Sequence, residues 1–541
     1  MGVDLQRRKA VMGRSIKLGK CVCNPLKPCP CPEFREHNVC ACAGEKMPQP
    51  TGPVALTRHV RKAGCASKIG QANLLRILGN LPPVDDPNVL VGMAAGDDAG
   101  VYRLSDGRCL VQTVDVFTPC VDDAYLFGQI AAANSLSDCY AMGAKPLTAL
   151  SVMCFPIETL DGEQMRQMLL GGMDKLREAG CALLGGHSVN DEEVKCGFAI
   201  TGLLENESAV ERGKAQAGDA LVLTKPLGTG VLSFAAQMGR LSAGWQNEVG
   251  RSMATLNKDA AELMVQHGAH ACTDVTGFGL AGHLIEMARG SGVCAEVTLE
   301  RLPVFAPVAD CIQQGVFGGA VEKNMEYAMG WVHGSESDNN VILFDPQTSG
   351  GLLIALPQEK SEALVNDLHK RGHDATAVIG RVTTPNAERA AGTLWVCGDA
   401  LENLIGESAG GLLPAAPENK TKTGEQKMTE NVSCCAGGNA EPAASCCSGT
   451  AAPDSAAPAL FMDFMKSANA PGALDAKTKK LLAIALSVTQ KCDPCLRVHL
   501  NAAVKMGITR AEIDEAAWMG IAFGGAPCMM FYQAISKEVW E

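Results

Sequence analysis

The chain has 541 residues, 47% of them hydrophobic, and this length predicts several domains with cores of their own. Its formal net charge of −12 at pH 7 gives no broad basic surface, which argues against nucleic acid as a main partner. The sequence shows no signal-peptide core and no apolar run long enough to span a bilayer, so we expect a cytoplasmic protein without a membrane partner.

Residues 1–50 are rich in cysteine and proline. In a large chain without a signal peptide, 24 cysteines indicate metal or redox chemistry rather than structural disulfides. Thiolates bind both iron–sulfur clusters and Zn²⁺, so these cysteines predict a metal or cluster site, with free thiols as the alternative. They form the C-x-C pairs Cys21 and Cys23, Cys29 and Cys31, and Cys40 and Cys42.

The segment KAGCASKIGQANL, residues 62–74, places Cys65 three residues before Lys68. A nearby ammonium group lowers the pKa of a thiol and also offers a positive charge to phosphate. A small buried cysteine beside a solvated lysine is the simpler alternative.

Residues 55–403 have the pattern of an α/β region, in which β-rich runs such as NVLVGM and ALVLTK alternate with helical runs. The run DGEQMRQMLLGGMDKLREAG predicts a helix that Asp161 caps and Gly180 ends. A second start near residue 216 indicates two halves, 55–215 and 216–403.

Acidic residues follow apolar runs at four places in this region. A single aspartate at a strand end is usually a cap or turn former, but four such sites favour Mg²⁺ and nucleotide phosphates. There is no Walker A motif, so metal, lysine and exposed backbone N–H groups, as in LLGGHSVN, would have to hold the phosphates. The acidic residues are Asp97 and Asp98, Asp115, Asp138, and Asp274.

Residues 404–457 are rich in Ala, Gly, Pro and Ser and predict a disordered linker, with cysteine pairs at 434–435 and 446–447. Residues 458–541 predict helices throughout, and Thr509 to Glu512 form a capping box. In VTQKCDPCLRVHL, a helix that starts near residue 493 would place Cys492, Cys495 and His499 along one face. A helix N-terminus stabilises a thiolate and an imidazole can move its proton, so this is a redox candidate, with zinc binding or core packing as alternatives.

The central region resembles the selenophosphate synthetase (selenide, water dikinase) family over residues 55–400. The resemblance rests on GCASKI, GDDAGVY, TVDVFTP, AAANSLSDCYAMGAKP, GGHS, LTKPLGTGVL, TDVTGFGLAGHL and DPQTSGGLL, in this order. It implies an α/β (α+β) fold of two halves, like aminoimidazole ribotide synthetase, which forms a homodimer through a β-barrel. It also implies synthesis of selenophosphate from ATP, selenide and water, with release of AMP and orthophosphate.

The same resemblance implies roles for individual residues, with Asn134 as a weaker candidate. Many relatives carry a second cysteine where this chain has Ser67, so a second thiol would have to come from elsewhere. The implied catalytic residues are Cys65 and Lys68; the implied Mg²⁺ ligands are Asp98, Asp138 and Asp274; the implied ATP contacts are Lys68, Asp97, Asp115, Asp138, Gly186, His187 and Ser188.

The two ends resemble thiol-redox proteins. The C-terminal region is similar to the all-helical alkylhydroperoxidase-like, carboxymuconolactone decarboxylase superfamily, but Lys480 stands where its peroxidases commonly have a glutamate, so we do not expect a full peroxidase relay. The segment CPCPEFREHNVCAC resembles part of the ferredoxin–thioredoxin reductase catalytic subunit. We therefore expect redox modules that meet a thiol partner or selenium donor protein. The alternatives are another ATP-using enzyme of the same superfamily, or a thiol-rich metal- or metalloid-binding protein.

Overall fold

The computed structural model describes the central region almost continuously and both ends in part. The described residues form two units, Met1–Lys422 and Thr423–Glu541. The predicted linker lies outside the described residues, apart from 412–413. The described residues are 5–18, 29–31, 34–35, 39–40, 43, 45, 54–69, 77–78, 81–82, 84–93, 96–334, 340–398, 412–413, 474–490, 493–524, 529, 532 and 536.

The described strands form two sheets, one in each half of the central region. The first sheet has the order β1-β2-β3-β6-β4-β5, and only β4 and β5 run parallel. The second has the order β10-β13-β9-β12-β7-β11-β8, and β13 runs parallel to both β10 and β9. The strands are β1 (Val89–Val91), β2 (Gly100–Arg103), β3 (Cys109–Phe117), β4 (Lys145–Phe155), β5 (Ala182–Asn190), β6 (Lys195–Leu204), β7 (Asp219–Leu223), β8 (Ala271–Asp274), β9 (Cys294–Thr298), β10 (Val332–Gly334), β11 (Leu352–Pro357), β12 (Ala377–Thr383) and β13 (Leu394–Cys397).

Helices cover one face of each sheet and supply the core. As predicted, Asp161 caps α3 by accepting from the Glu163 N–H at 2.9 Å, and Gly180 ends it in the left-handed conformation. The helices are α1 (Leu5–Leu18), α2 (Ala124–Ala141), α3 (Gly162–Ala179), α4 (Thr229–Gln237), α5 (Ala243–Ala254), α6 (Lys258–Gln266), α7 (Gly279–Ser291), α8 (Val308–Gln313), α9 (Ala320–Ala328), α10 (Val341–Phe344), α11 (Gln358–Lys370), α12 (Ala476–Gln490), α13 (Asp493–Lys505) and α14 (Arg510–Gly524).

Two glycines allow α2 and α3 to pack closely. A Cβ at Gly128 would lie 1.8 Å from the Met168 carbonyl oxygen, and one at Gly171 would lie 1.9 Å from the Tyr125 carbonyl oxygen. Neither position therefore accepts a side chain unless the helices separate. This contact fixes α2, the helix that carries Asn134 and Asp138, against α3.

The two halves meet through buried hydrogen bonds next to these residues. Asn257 of the second half donates to the Ser137 hydroxyl and to the Gly350 carbonyl oxygen, both at 2.9 Å. The Thr273 hydroxyl donates to Asp98 Oδ1 at 2.9 Å. Residues from both halves thus line one centre.

The N-terminal cysteine-rich segment folds back on α1. Val11, Cys40 and Ala43 form a small buried cluster. Glu45 forms an ion pair with Arg8 and accepts from the Cys40 N–H at 2.9 Å.

The second unit consists, where it is described, of α12, α13 and α14 around a core of Ile484, Val488, Leu500 and Ile513. The predicted capping box is present: the Thr509 N–H donates to Glu512 Oε2 at 3.0 Å, and the Glu512 N–H donates to Thr509 Oγ1 at 3.4 Å. Over the described part of the chain, we find no helix with the length and apolar character needed to cross a bilayer.

Candidate active site

The loop that carries Cys65 is held between both halves. Gly64, at φ +59°, donates its N–H to the Thr118 carbonyl oxygen at 3.1 Å, and the Cys65 N–H donates to Thr348 Oγ1 at 3.0 Å. A Cβ at Gly64 would lie 2.2 Å from Thr348 Oγ1, so this turn requires glycine for both its conformation and its packing. The 3₁₀ helix Cys65–Ser67 then turns the thiol inward, where Cys65 is only 2% exposed.

Asn134 connects Cys65 and Lys68. Its Oδ1 lies 3.7 Å from Cys65 Sγ and accepts from the Ser349 N–H at 2.9 Å. Its Nδ2 donates to Asp115, and Lys68 Nζ lies 2.8 Å from Oδ2 of the same carboxylate. The two predicted catalytic residues are therefore joined through one amide and one carboxylate.

The burial of Cys65 opposes formation of a thiolate. Burial raises the pKa of Cys65 to about 11, and Asp115 adds to this effect, although Lys68 acts to lower it. Burial would lower the pKa of Lys68, but Asp115 outweighs burial and the pKa is raised. Lys68 acts in the direction that the sequence predicted. The net shift has the opposite sign because the thiol is buried, which the local sequence does not reveal.

Asp98, Asp138 and Asp274 form a second cluster, and each offers an oxygen within 4.8 Å of the others. Asp98 accepts from Thr273 and Asp138 from the Thr113 hydroxyl. Burial raises the pKa of all three, to about 6 for Asp274, and their mutual repulsion raises the pKa of Asp98 and Asp138 further.

The cluster fits a hard divalent cation. Asp98 Oδ2 and Asp274 Oδ2 are buried and have no hydrogen-bond partner, so both are available as ligands. Carboxylate oxygens are the ligands that Mg²⁺ prefers. Within the described residues, no other group of three or more His, Cys, Asp or Glu side chains converges in this way.

Asp97 is directed away from this cluster. Its carboxylate accepts from its neighbour, the Asp98 N–H, at 2.9 Å and from the Arg212 N–H at 3.2 Å. These bonds fix the turn that presents Asp98, so Asp97 has a supporting position.

Gly186, His187 and Ser188 are separate from the other candidates. They lie on β5, an exposed edge strand, and Gly186 pairs with Ser151 of β4. Ser151 in turn pairs with Phe198 of β6, and Phe198 pairs with Asp115 of β3. Asp115 therefore lies at the same register position as Gly186, three strands away. At the usual strand spacing this is roughly 14 Å. A single chain does not bring these residues to the aspartates.

Several polar residues support the site without having been singled out from the sequence. Thr348 and Ser349 hold the Cys65 loop and Asn134, respectively, and Cys120 Cβ lies 3.1 Å from where a Gly64 side chain would begin. Lys225 donates to the Ser349 carbonyl oxygen at 3.0 Å, and burial lowers its pKa to about 7. The motifs DPQTSGGLL and KPLGTG, which carry these residues, were the signal in the sequence. The Thr348 and Lys225 side chains and the Ser349 backbone shape the site.

The predicted N-terminal metal ligands are only partly described. Cys29 and Cys31 are half-buried, and Cys40 is buried. Cys21, Cys23 and Cys42 lie outside the described residues. The metal or cluster site thus stays a prediction.

In the second unit, Cys495 is exposed and disulfide-bonded, while Cys492 lies outside the described residues. His499 follows Cys495 by one turn of α13. Lys480 Nζ lies 3.3 Å from His499 Nδ1, and burial lowers the pKa of both groups. An ammonium therefore contacts the imidazole from the position at which related peroxidases would present a carboxylate.

The comparisons with known proteins agree with this architecture. Residues 96–204 match the model of the AIR synthase related protein N-terminal domain, and residues 216–392 match that of its C-terminal domain. Residues 455–535 match the carboxymuconolactone decarboxylase family. The fold and the site thus define a two-half protein of the AIR synthase related class, joined to a carboxymuconolactone decarboxylase domain.

Relatives define the family more closely. The chain is 44% identical over 339 residues to a selenide, water dikinase from Pelobacter propionicus, which covers 62% of this chain and 97% of that protein. It is 46% identical over 330 residues to one from Geobacter metallireducens, which covers 60% of this chain and 96% of that protein. A solved thiamine monophosphate kinase from Aquifex aeolicus is 17% identical, with a TM-score of 0.41 and coverage of 60% and 94%, respectively. The chain belongs to the selenide, water dikinase family.

Proposed function

We propose that the central region synthesises selenophosphate from ATP, selenide and water and releases AMP and orthophosphate. Both phosphoanhydride bonds of ATP break, and one phosphoryl group ends on selenium while the other ends as orthophosphate. The observation that carries the proposal is the convergence of Cys65, Lys68 and the aspartate cluster in one centre, in a chain of this family.

Lys68 is placed to neutralise phosphoryl oxygens. Its ammonium is now paired with Asp115, so an arriving phosphate competes with that carboxylate for the same charge. When Lys68 moves to the phosphate, Asp115 keeps its hydrogen bond from Asn134. Cys65, a thiol in this network, lies within the same centre and would hold or deliver selenium.

We propose that Asp98, Asp138 and Asp274 hold Mg²⁺ together with the nucleotide. The ion would supply charge neutralisation to the phosphates. The unpartnered oxygens of Asp98 and Asp274 support this assignment. Asp97 then supports the turn, and Asp115 sets the charge of Lys68.

The test is ³¹P NMR of the full chain with ATP, Mg²⁺ and selenide under anaerobic reducing conditions. We expect a selenophosphate resonance and AMP, lost in Asp98→Ala and in Cys65→Ala. Matched controls are Asp106→Asn, on the exposed turn between β2 and β3, and Cys397→Ala, at the end of β13; both should keep the product. Intact ATP, or ADP with no phosphorus–selenium product, would instead identify another ATP-using enzyme of this class or a binding protein.

We propose that the active form is a homodimer. The face of the first sheet opposite α2 and α3 exposes apolar side chains that an isolated sheet rarely leaves in water. Val114 is 60% exposed, Leu150 49% and Leu184 68%. A second copy on this face would cover them and would place Gly186–Ser188 of one copy near the other.

We also propose that the two ends are thiol-redox modules that prepare or deliver reduced selenium, acting with a thiol partner or a selenium donor protein. The exposed disulfide at Cys495, with Cys492 three residues earlier in the sequence and His499 one turn away, supports this role for the C-terminal end. The six N-terminal cysteines would hold an iron–sulfur cluster or Zn²⁺. The use of ATP and of thiol chemistry supports a cytoplasmic location for the reaction. Unchanged activity on dilute selenium donors after removal of 1–50 and 456–541 would contradict the delivery role.

A further inference from the structure

The cleft that leads to Cys65 is lined by three lysines. Lys62 and Lys68 come from the catalytic loop, and Lys323 comes from the first turns of α9. Cys65 itself lines the same cleft. The three cations therefore stand between solvent and the buried thiol.

The lysines differ in whether their charge is compensated. Lys68 is paired with Asp115, whereas Lys62 and Lys323 form no ion pair with any carboxylate in the described part of the chain. Burial lowers the pKa of Lys62, and the adjacent ammonium of Lys323 lowers it further. Two uncompensated positive charges thus face each other at the mouth of the cleft.

Hydrogen bonds hold the backbone segments that carry the two lysines. The Lys62 carbonyl oxygen accepts from the Thr118 hydroxyl. Asn324, next to Lys323, donates to the carbonyl oxygens of Gly277 at 3.0 Å and Phe344 at 2.9 Å and so holds α9 in place. The fold therefore keeps both lysines at the same cleft, and an anion between their ammonium groups would reduce the repulsion between them.

We propose that Lys62 and Lys323 form the entry site for the anionic selenium substrate, the hydrogenselenide ion HSe⁻, on its way to Cys65. This inference rests on the proposed function. A monoanion suits the site because the phosphates of ATP already have Lys68 and the Mg²⁺ proposed at the aspartate cluster as partners. Orthophosphate and selenophosphate share the negative charge, so the experiment must separate entry of selenide from exit of product.

The experiment measures initial rates of AMP formation by the full chain, with Lys62→Ala, Lys323→Ala and the double variant. We expect KM for selenide to rise about three- to tenfold for each single variant and further for the double variant. KM for ATP and kcat should stay within about twofold, because neither lysine contacts the aspartate cluster. Lys62→Arg should keep KM for selenide near its native value. High salt should reduce the difference in this KM between the native chain and the alanine variants.

Lys360→Ala, on the exposed surface of α11, removes the same charge and should change nothing. Direct binding of HSe⁻, followed by ⁷⁷Se NMR without ATP, should weaken in the double variant. The binding measurement separates the entry-site proposal from the proposed synthesis of selenophosphate. Binding that depends on both lysines supports the entry site even if no selenophosphate forms. An unchanged KM for selenide, a rise confined to KM for ATP, or a change only in inhibition by orthophosphate would each overturn the proposal.

Discussion

Asp115 sets the charge state of both Cys65 and Lys68. It pairs with Lys68 at 2.8 Å and contributes to the raised pKa of the thiol. Removing its negative charge would leave the Lys68 ammonium free to stabilise a thiolate. Asp115 thus adds to the effect of burial, which by itself favours the protonated thiol.

We therefore predict that Asp115→Asn lowers the pKa of Cys65 from about 11 by roughly one unit or more. Alkylation of Cys65 by iodoacetamide, followed against pH by peptide mass spectrometry, measures the shift. Asp106→Asn, which removes an exposed carboxylate, should leave the profile unchanged. A profile unchanged in Asp115→Asn would show that burial alone controls the thiol.

The aspartate cluster makes stability depend on pH and on Mg²⁺. Because the folded pKa of Asp274, about 6, lies above the ordinary value of 3.8, the native state binds more protons than the unfolded state between these values. Stability of the metal-free protein should therefore fall as pH rises from about 4 through 6.

Mg²⁺ should restore the lost stability, because it binds only the folded cluster. We expect it to raise Tm at pH 7 by a few degrees, and we expect Asp98→Asn to raise the metal-free Tm while removing most of this response. Differential scanning fluorimetry with and without MgCl₂ measures both effects. Equal responses in the native chain and in Asp98→Asn would contradict a metal role for the cluster.

At the level of elements, the packing of α2 on α3 positions the active-site residues that α2 carries. Gly128→Ala would place a Cβ 1.8 Å from the Met168 carbonyl oxygen and should cost about 2 kcal/mol or more. It should also lower kcat, because α2 carries Asn134 and Asp138. Thermal denaturation and AMP formation measure the two effects.

Gly244 provides the matched control for this substitution. It lies in α5 with no atom within 4 Å of an added Cβ, so Gly244→Ala should be neutral or stabilise by up to about 1 kcal/mol. Similar effects at both positions would show that the α2–α3 contact can relax without consequence.

In the second unit, the contact between Lys480 of α12 and His499 of α13 affects the redox chemistry of Cys495. Lys480 contacts His499, one turn beyond Cys495, so its positive charge should favour the thiolate of the reduced form. We expect Lys480→Gln to make the reduction potential more negative by about 15–30 mV, and Lys480→Arg to preserve it. Thiol trapping of Cys495 in dithiothreitol buffers measures the reduction potential. An unchanged potential in Lys480→Gln would show that Lys480 does not influence the redox site.

At the scale of the whole molecule, the separation of Gly186–Ser188 on β5 from Asp115 on β3 predicts a site shared between two subunits. If Gly186–Ser188 contact the nucleotide bound by the partner subunit, each site combines Asp98 of one subunit with Ser188 of the other. Ser188→Asp and Asp98→Asn should then each inactivate the homodimer. Mixed and reassociated subunits should then recover about a quarter of the native activity, because half the dimers contain one intact site. Co-purification of differently tagged subunits confirms their exchange, and no recovery despite exchange would contradict the shared site.

Much of this centre could be predicted from short motifs. Cys65, Lys68 and the three clustered aspartates each sit in a distinctive local context, and they converge. The sign of the Cys65 shift could not be predicted, because burial depends on tertiary packing. The Lys62–Lys323 pair was also missed, since neither lysine has a local signature and α9 lies far along the sequence. The location of Gly186–Ser188 on an edge strand follows from strand order, which the motifs do not encode.

Asn134 has a consequence for the evolution of this enzyme. Its side chain donates to Asp115 while its oxygen accepts from the Ser349 N–H and lies beside the Cys65 thiol. Asp lacks the donor, Leu lacks both groups, and Gln places the amide one methylene too far. In a saturation library selected for growth on selenium, we expect this position to tolerate fewer amino acids than Ser67 or Cys120, although it takes no part in bond making.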